Sequence, residues 1–94
     1  MLNKAAVTIR IEFTRRADCS ILRLIGQIVA EYIPELAAQI AAAGTPVVME
    51  MQEVTLVDLD VVRFLIECEA RGVTLRGCSA YIREWIDRER ENEI

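Results

Sequence analysis

Two acids flank one leucine at Asp58-Leu59-Asp60, directly after an apolar run and directly before a helical pattern. Carboxylates placed there meet the unpaired backbone N–H groups of a helix start, where caps, partner contacts and regulatory modifications all occur. The nearest hydroxyl in that stretch is Thr55. Its ordinary role at a strand-to-loop step is local hydrogen bonding, and its chemical alternative is phosphorylation. Asp58/Asp60 and Glu50/Glu53 could pair for acid–base work, but no nucleophile, electrophile or metal set accompanies them. The chain has no histidine, which removes imidazole triads and the usual zinc sites. Cys19, Cys68 and Cys78 are far apart, odd in number and without a C-x-x-C pair, so they read as small buried hydrophobes in a reducing compartment. Gly26 and Gly44 stand alone, not in a phosphate-binding loop. The expectation is no catalytic residue, no metal and no cofactor.

Composition narrows the classes further. The 94 residues suffice for one domain spanning 1–94, with a core that has little to spare. The chain is 53% hydrophobic but only 5% aromatic, so the core must come from Ala, Val, Ile and Leu, and few rings remain for stacking on bases. A net charge of −4 with no basic stretch argues against nucleic acid and against an anionic membrane. No run of about 18 apolar residues is present for a membrane-spanning helix, and Met1 to Lys4 opens no signal-peptide pattern. The expected location is the cytoplasm.

The elements that must position the acids follow from periodicity. Val7 to Phe13 alternates apolar and polar, as a strand with one wet face does. After the polar turn Thr14 to Asp18, Ile21 to Ile25 reads as a second, more buried strand closed by Gly26, and the two pair as a hairpin. A helix from Ala30 to Ala43 takes Pro34 in its first turn, turns Ile33, Leu36, Ala37 and Ile40 inward, and stops at Gly44 and Pro46. Val47 to Met51 is apolar nearly throughout, a central strand covered on both faces, and a short loop leads from it to Asp58. The second helix runs from about Leu59 to Ala70, with Val61, Phe64, Leu65 and Cys68 inward, and ends at Arg71-Gly72. Val73 to Arg76 is a short strand. Ser79 caps a third helix that carries Ile82, Trp85 and Ile86 inward and Glu84–Arg88 at i,i+4 spacing outside, with Arg88 to Ile94 frayed. The order is β-β-α-β-α-β-α. Strands joined through single helices lie parallel with right-handed crossovers. The fold class is therefore α/β, a small mixed sheet with a parallel centre and helices mainly on one face.

With that order in place, the chain resembles the STAS domains, the fold of bacterial anti-sigma-factor antagonists and of the cytoplasmic tails of sulfate transporters. The resemblance runs from about Val7 to Arg88. It is carried by Leu24-Ile25-Gly26-Gln27-Ile28, Val47-Val48-Met49-Glu50-Met51, Val54-Thr55-Leu56-Val57-Asp58 and Arg71-Gly72-Val73-Thr74-Leu75. In signalling members of the family the acid at the position of Asp58 precedes a phosphorylated Ser or Thr and then Gly. Here Asp60 stands at the phosphoacceptor position and Val61 at that of the Gly. Asp60 has no hydroxyl, so the usual phospho-switch is absent at this position. Either Asp60 imitates a permanently phosphorylated state, with about one charge where phosphoserine carries nearly two, or the fold serves another role. Val61 would crowd a spot that the family often leaves open.

The resemblance thus implies a non-catalytic protein-interaction module in a bacterial regulatory system. Its partner would be an anti-sigma factor or related kinase-like protein, and its surface Thr55, Asp58, Leu59, Asp60, Val61 and Arg63. Two other classes stay open. One is a module for a small ligand, nucleotide or lipid. The other is a homo-oligomer, such as a homodimer formed through the edge strand Val7–Phe13.

Overall fold

The structure is a computed structural model that describes residues 9–44 and 46–92. Met1 to Lys4, the first strand residues Val7 and Thr8, and the last tail residues Glu93 and Ile94 lie outside the described residues. The chain forms β1 (Ile9–Arg15), β2 (Ser20–Ile28), a 3-10 turn (Ala30–Tyr32), α1 (Ile33–Ala43), β3 (Val47–Val57), α2 (Leu59–Ala70), β4 (Thr74–Arg76) and α3 (Ala80–Asn92). The sheet runs in the order β1-β2-β3-β4. β1 is antiparallel to β2, and β2–β3 and β3–β4 are parallel. The hairpin, the parallel centre and the order of elements agree with the sequence reading.

One face of the sheet carries Leu22, Leu24, Met49 and Met51. These join Leu36 of α1, Val61, Val62, Leu65, Ile66 and Cys68 of α2, and Ile82 and Ile86 of α3 in a single apolar core. The other face carries ions. Arg23 reaches both Glu12 and Glu53, and Arg76 reaches Glu50 at 3.3 Å. Ile21 and Val48 are buried on that second face, outside the core cluster.

Two strands are longer than the sequence indicated. β3 continues six residues past Met51, to Val57, where a loop was expected. Arg23 pairs with Glu50 but Ile25 with Glu53, and Gly26 pairs with Val54 but Gln27 with Leu56. Each shift inserts one extra residue into β3, which is a bulge. The buried positions Met51, Val54 and Val57 accordingly fall three apart instead of two. β2 likewise does not close at Gly26. The residue sits inside the strand at φ +104, a conformation open to glycine, and thereby passes the register shift.

α2 and α3 start, and α1 and α2 stop, where expected, while α1 begins at Ile33 and not at Ala30. Pro34 lies in the first turn of α1, preceded by the separate 3-10 turn where a continuous helix was expected. Ala37 is exposed, contrary to the inward stripe, while Leu36 and Ala43 are buried. The buried Ser20 hydroxyl donates to the Ala43 carbonyl at 2.8 Å, satisfying one acceptor at the end of α1. α2 closes on Gly72, at φ +99, with Val73 N–H donating to the Cys68 carbonyl at 3.0 Å. Ser79 Oγ accepts from Ile82 N–H at 3.3 Å and so caps α3. Trp85 packs against the core, with Tyr81 beside it.

α3 does not fray at Arg88 but stays helical to Asn92. Glu89 holds Arg63 and Arg90 holds Glu69, so the last turns are tied to α2. The expected Glu84–Arg88 pair does not form; Arg83–Asp87, at 3.4 Å, takes that spacing instead. Among the described residues no helix is long and apolar enough to cross a membrane.

Candidate functional site

The end of β3 delivers Asp58 in an extended conformation, φ −110 and ψ 177, as the N-cap of α2. Its two carboxylate oxygens are both engaged. Oδ1 accepts from Val61 N–H at 3.0 Å, the capping bond. Oδ2 accepts from Ala30 N–H at 2.9 Å, across to the turn that opens α1. One side chain therefore joins the two places where the chain leaves β2 and β3. Asp58 is half-buried, and its acceptors are directed at backbone donors.

Asp60, in the first turn of α2, is exposed, and its carboxylate makes no hydrogen bond or ion pair among the described residues. The helix start favours its charge without consuming it. Leu59, between the two acids, is 38% exposed, and Leu56, three residues before it, is 44% exposed. Thr55 is exposed on the bulged end of β3. Arg63 is exposed one turn along the helix, where its Nε donates to Glu89 of α3 at 3.1 Å. Val61 is fully buried in the core. Its side chain therefore neither crowds the surface nor reaches a partner, because the third residue of α2 points inward with Leu65 and Cys68.

Leu56 reads in the sequence as one more apolar position of the run Val54 to Asp58, but the bulge between Gly26/Val54 and Gln27/Leu56 turns it to solvent. Its signal in the sequence is two adjacent apolar residues, Leu56 and Val57, at a point where only one can face the core. The exposed side chains where β3 passes into α2 are thus Leu56, Leu59 and Asp60, with Glu31 exposed on the turn that Asp58 holds.

The other candidates for chemistry are occupied elsewhere. Glu50 and Glu53 are ion-paired to Arg76 and Arg23. The three cysteines are unbonded. Burial pushes the Cys68 thiol up to about 11 and raises that of Cys78, which keeps both protonated and unreactive at neutral pH. Among the described residues no group of three His, Cys, Asp or Glu side chains could hold a metal. A groove of about 460 Å³ lies at the other end of α2, between it and α1. Ile40, Val47, Phe64, Cys68 and Val73 give it apolar walls, and Glu67 and Arg71 are its charged residues.

No protein-family model and no curated protein matches the chain. A solved structure does. The crystal structure of an anti-sigma-factor antagonist STAS domain from Rhodobacter sphaeroides superposes with a TM-score of 0.61, over 78% of this chain and 90% of that one, at 16% sequence identity. The fold is that of a STAS domain.

Proposed function

We propose that this chain is a non-catalytic, cytoplasmic protein-interaction module of a bacterial regulatory system, in the manner of an anti-sigma-factor antagonist. The observation that carries the reading is the exposure of Leu56 near the end of β3 and of Leu59 and the uncommitted carboxylate of Asp60 at the start of α2. Exposed leucines together with a free charge suit a partner with an apolar pocket and a basic rim. The fold shared with an antagonist domain supports that choice of partner class, an anti-sigma factor or related kinase-like protein. Thr55 and Arg63 border the surface. Asp58 shapes it from beneath, and Val61 takes no part in contact.

Asp60 has no hydroxyl, so this surface is not switched by phosphorylation at that position. Its single fixed charge gives the module one state there, a constitutive binder or a constitutive non-binder of a given kinase-like partner.

The test is titration calorimetry of the purified chain against the kinase-like anti-sigma proteins of its own genome. Asp60→Lys and Leu59→Ala should each weaken the interaction at least tenfold with the fold unchanged by circular dichroism. Asp60→Ser separates the two accounts by sign: affinity rises if the carboxylate imitates a phosphate that keeps the partner off, and falls if the carboxylate meets the partner's basic rim. Binding that ignores all three substitutions would refute the surface.

A second reading, a lipid-binding module, rests on the groove between α1 and α2. Its walls are apolar, and Arg71, which makes no ion pair among the described residues, supplies a cation for an acidic headgroup. Nucleotides fit this groove poorly, because it offers few donors for a phosphate chain.

A further inference from the structure

β1 is an edge strand of the described sheet, and its free edge has a readable polarity. Arg16 N–H donates to the Cys19 carbonyl at 2.8 Å, closing the hairpin with a hydrogen-bonded pair. Hydrogen-bonded and non-hydrogen-bonded pairs alternate along an antiparallel ladder. Thr14, Glu12 and Arg10 therefore spend their backbone groups on β2, opposite Ile21, Arg23 and Ile25. Ile9, Ile11 and Phe13 direct theirs outward. The side chains alternate as well: Arg10 and Glu12 lie on the ion-bearing face, while Ile9, Ile11 and Phe13 lie on the face of the core.

We propose that a second copy of this chain adds to that edge, β1 against β1 antiparallel about a two-fold axis at Ile11, making one continuous sheet. The register is selected by charge. Centring on Arg10 sets arginine against arginine, and centring on Glu12 sets glutamate against glutamate, both unfavourable across a strand pair. Centring on Phe13 gives Glu12 a threonine. Centring on Ile11 sets Arg10 opposite Glu12 of the other copy and Glu12 opposite its Arg10. The same register lays Phe13, 49% exposed and the most exposed large apolar side chain of the described residues, on Ile9 of the other copy. Ile11 then exchanges both of its outward backbone bonds with its symmetry mate, as a hydrogen-bonded pair requires. Arg10 and Glu12 already touch at 2.7 Å within one copy, so both ends of the exchanged pairs are in place at the edge. Nothing in this association uses the start of α2.

The interface is short, of the weak and transient class, so it is read by sedimentation velocity across a wide concentration series up to the solubility limit. The wild-type chain should move from monomer to dimer and no further through this contact, because the two-fold consumes the β1 edge of each copy. Arg10→Glu alone and Glu12→Arg alone should each lose at least tenfold in dimer affinity, since each sets like charges opposite. A mixture of the two single variants should dimerise as well as wild type, for each then offers the charge that the other needs. Arg10 is exposed and Glu12 half-exposed, and circular dichroism checks that the fold is kept. A wild type that stays monomeric throughout would overturn the proposal. So would a dimer indifferent to the single substitutions, or a mixture that stays apart.

Discussion

Asp58→Ala is the perturbation that most directly examines how the site is built. It deletes the acceptor of the capping bond from Val61 N–H at 3.0 Å and that of the bond from Ala30 N–H at 2.9 Å. Loss of an N-cap costs about 1 kcal/mol. Loss of the second bond, made by a charged acceptor on a half-buried side chain, adds roughly 1–2 kcal/mol. The sum, about 2–3 kcal/mol, is a large part of what a domain of this size has to spend. It corresponds to a melting temperature lower by about 10–20 °C, at roughly 4–8 °C per kcal/mol. Urea and thermal unfolding followed by circular dichroism would measure both quantities. Asp58→Asn should fall between, because its one amide oxygen can serve Val61 or Ala30 but not both. A loss for Asp58→Ala below about 0.5 kcal/mol, the range of an ordinary surface substitution, would refute the clasp. The same result would return Asp58 to the set of residues free to meet a partner.

Two further outcomes follow from the packing of α2. Val61→Gly should destabilise the chain by about 3–4 kcal/mol, a cavity cost plus the helix penalty of glycine; denaturant titration checks it. Glu69 is the hub between α2 and α3, taking two bonds from Arg83 at 3.0 and 2.9 Å and one from Arg90. The Arg83 bonds, more than Arg90, hold its carboxyl below the usual 4.5, against the opposing effect of burial. A lowered folded-state value gives stability that is present above the unfolded value and lost as the pH falls through the folded one. Wild type should therefore weaken below pH 4.5 by more than Glu69→Gln does. At neutral pH the variant should already be less stable by about 1 kcal/mol, the site being partly open to solvent.

The starts of α2 and α3 and the stops of α1 and α2 were legible because single residues govern them: Asp58, Ser79, Gly44 and Gly72 act within their own turns. The strand order was legible because connections through one helix leave few topologies. The second half of β3 was not, since its two bulges replace the alternation of a strand with a spacing of three that reads as loop. The same bulges hid Leu56. Val61 shows two kinds of sequence signal in conflict. Helical spacing placed it inward and motif position placed it at the surface, and packing followed the spacing. The bond from Asp58 to Ala30 joins residues 28 apart and had no local signature at all. Nor did the Ser20 hydroxyl on the end of α1, or the ties from Arg63 and Glu69 to α3, which kept helical a tail whose composition suggested fraying.

The bond between Asp58 and Ala30 also bears on what kind of recognition this surface can perform. The first turn of α2 and the turn before α1 are fastened to each other and, through Val57 and Ile28, to neighbouring parallel strands. Leu59 and Asp60 are thus presented on a frame that need not be ordered on contact. Such preorganisation spares a partner the entropy of fixing a loop, so a small patch can bind more tightly than its area suggests. It also leaves this patch little freedom to remodel itself for several partners. Any adaptation in the complex must come from the other protein.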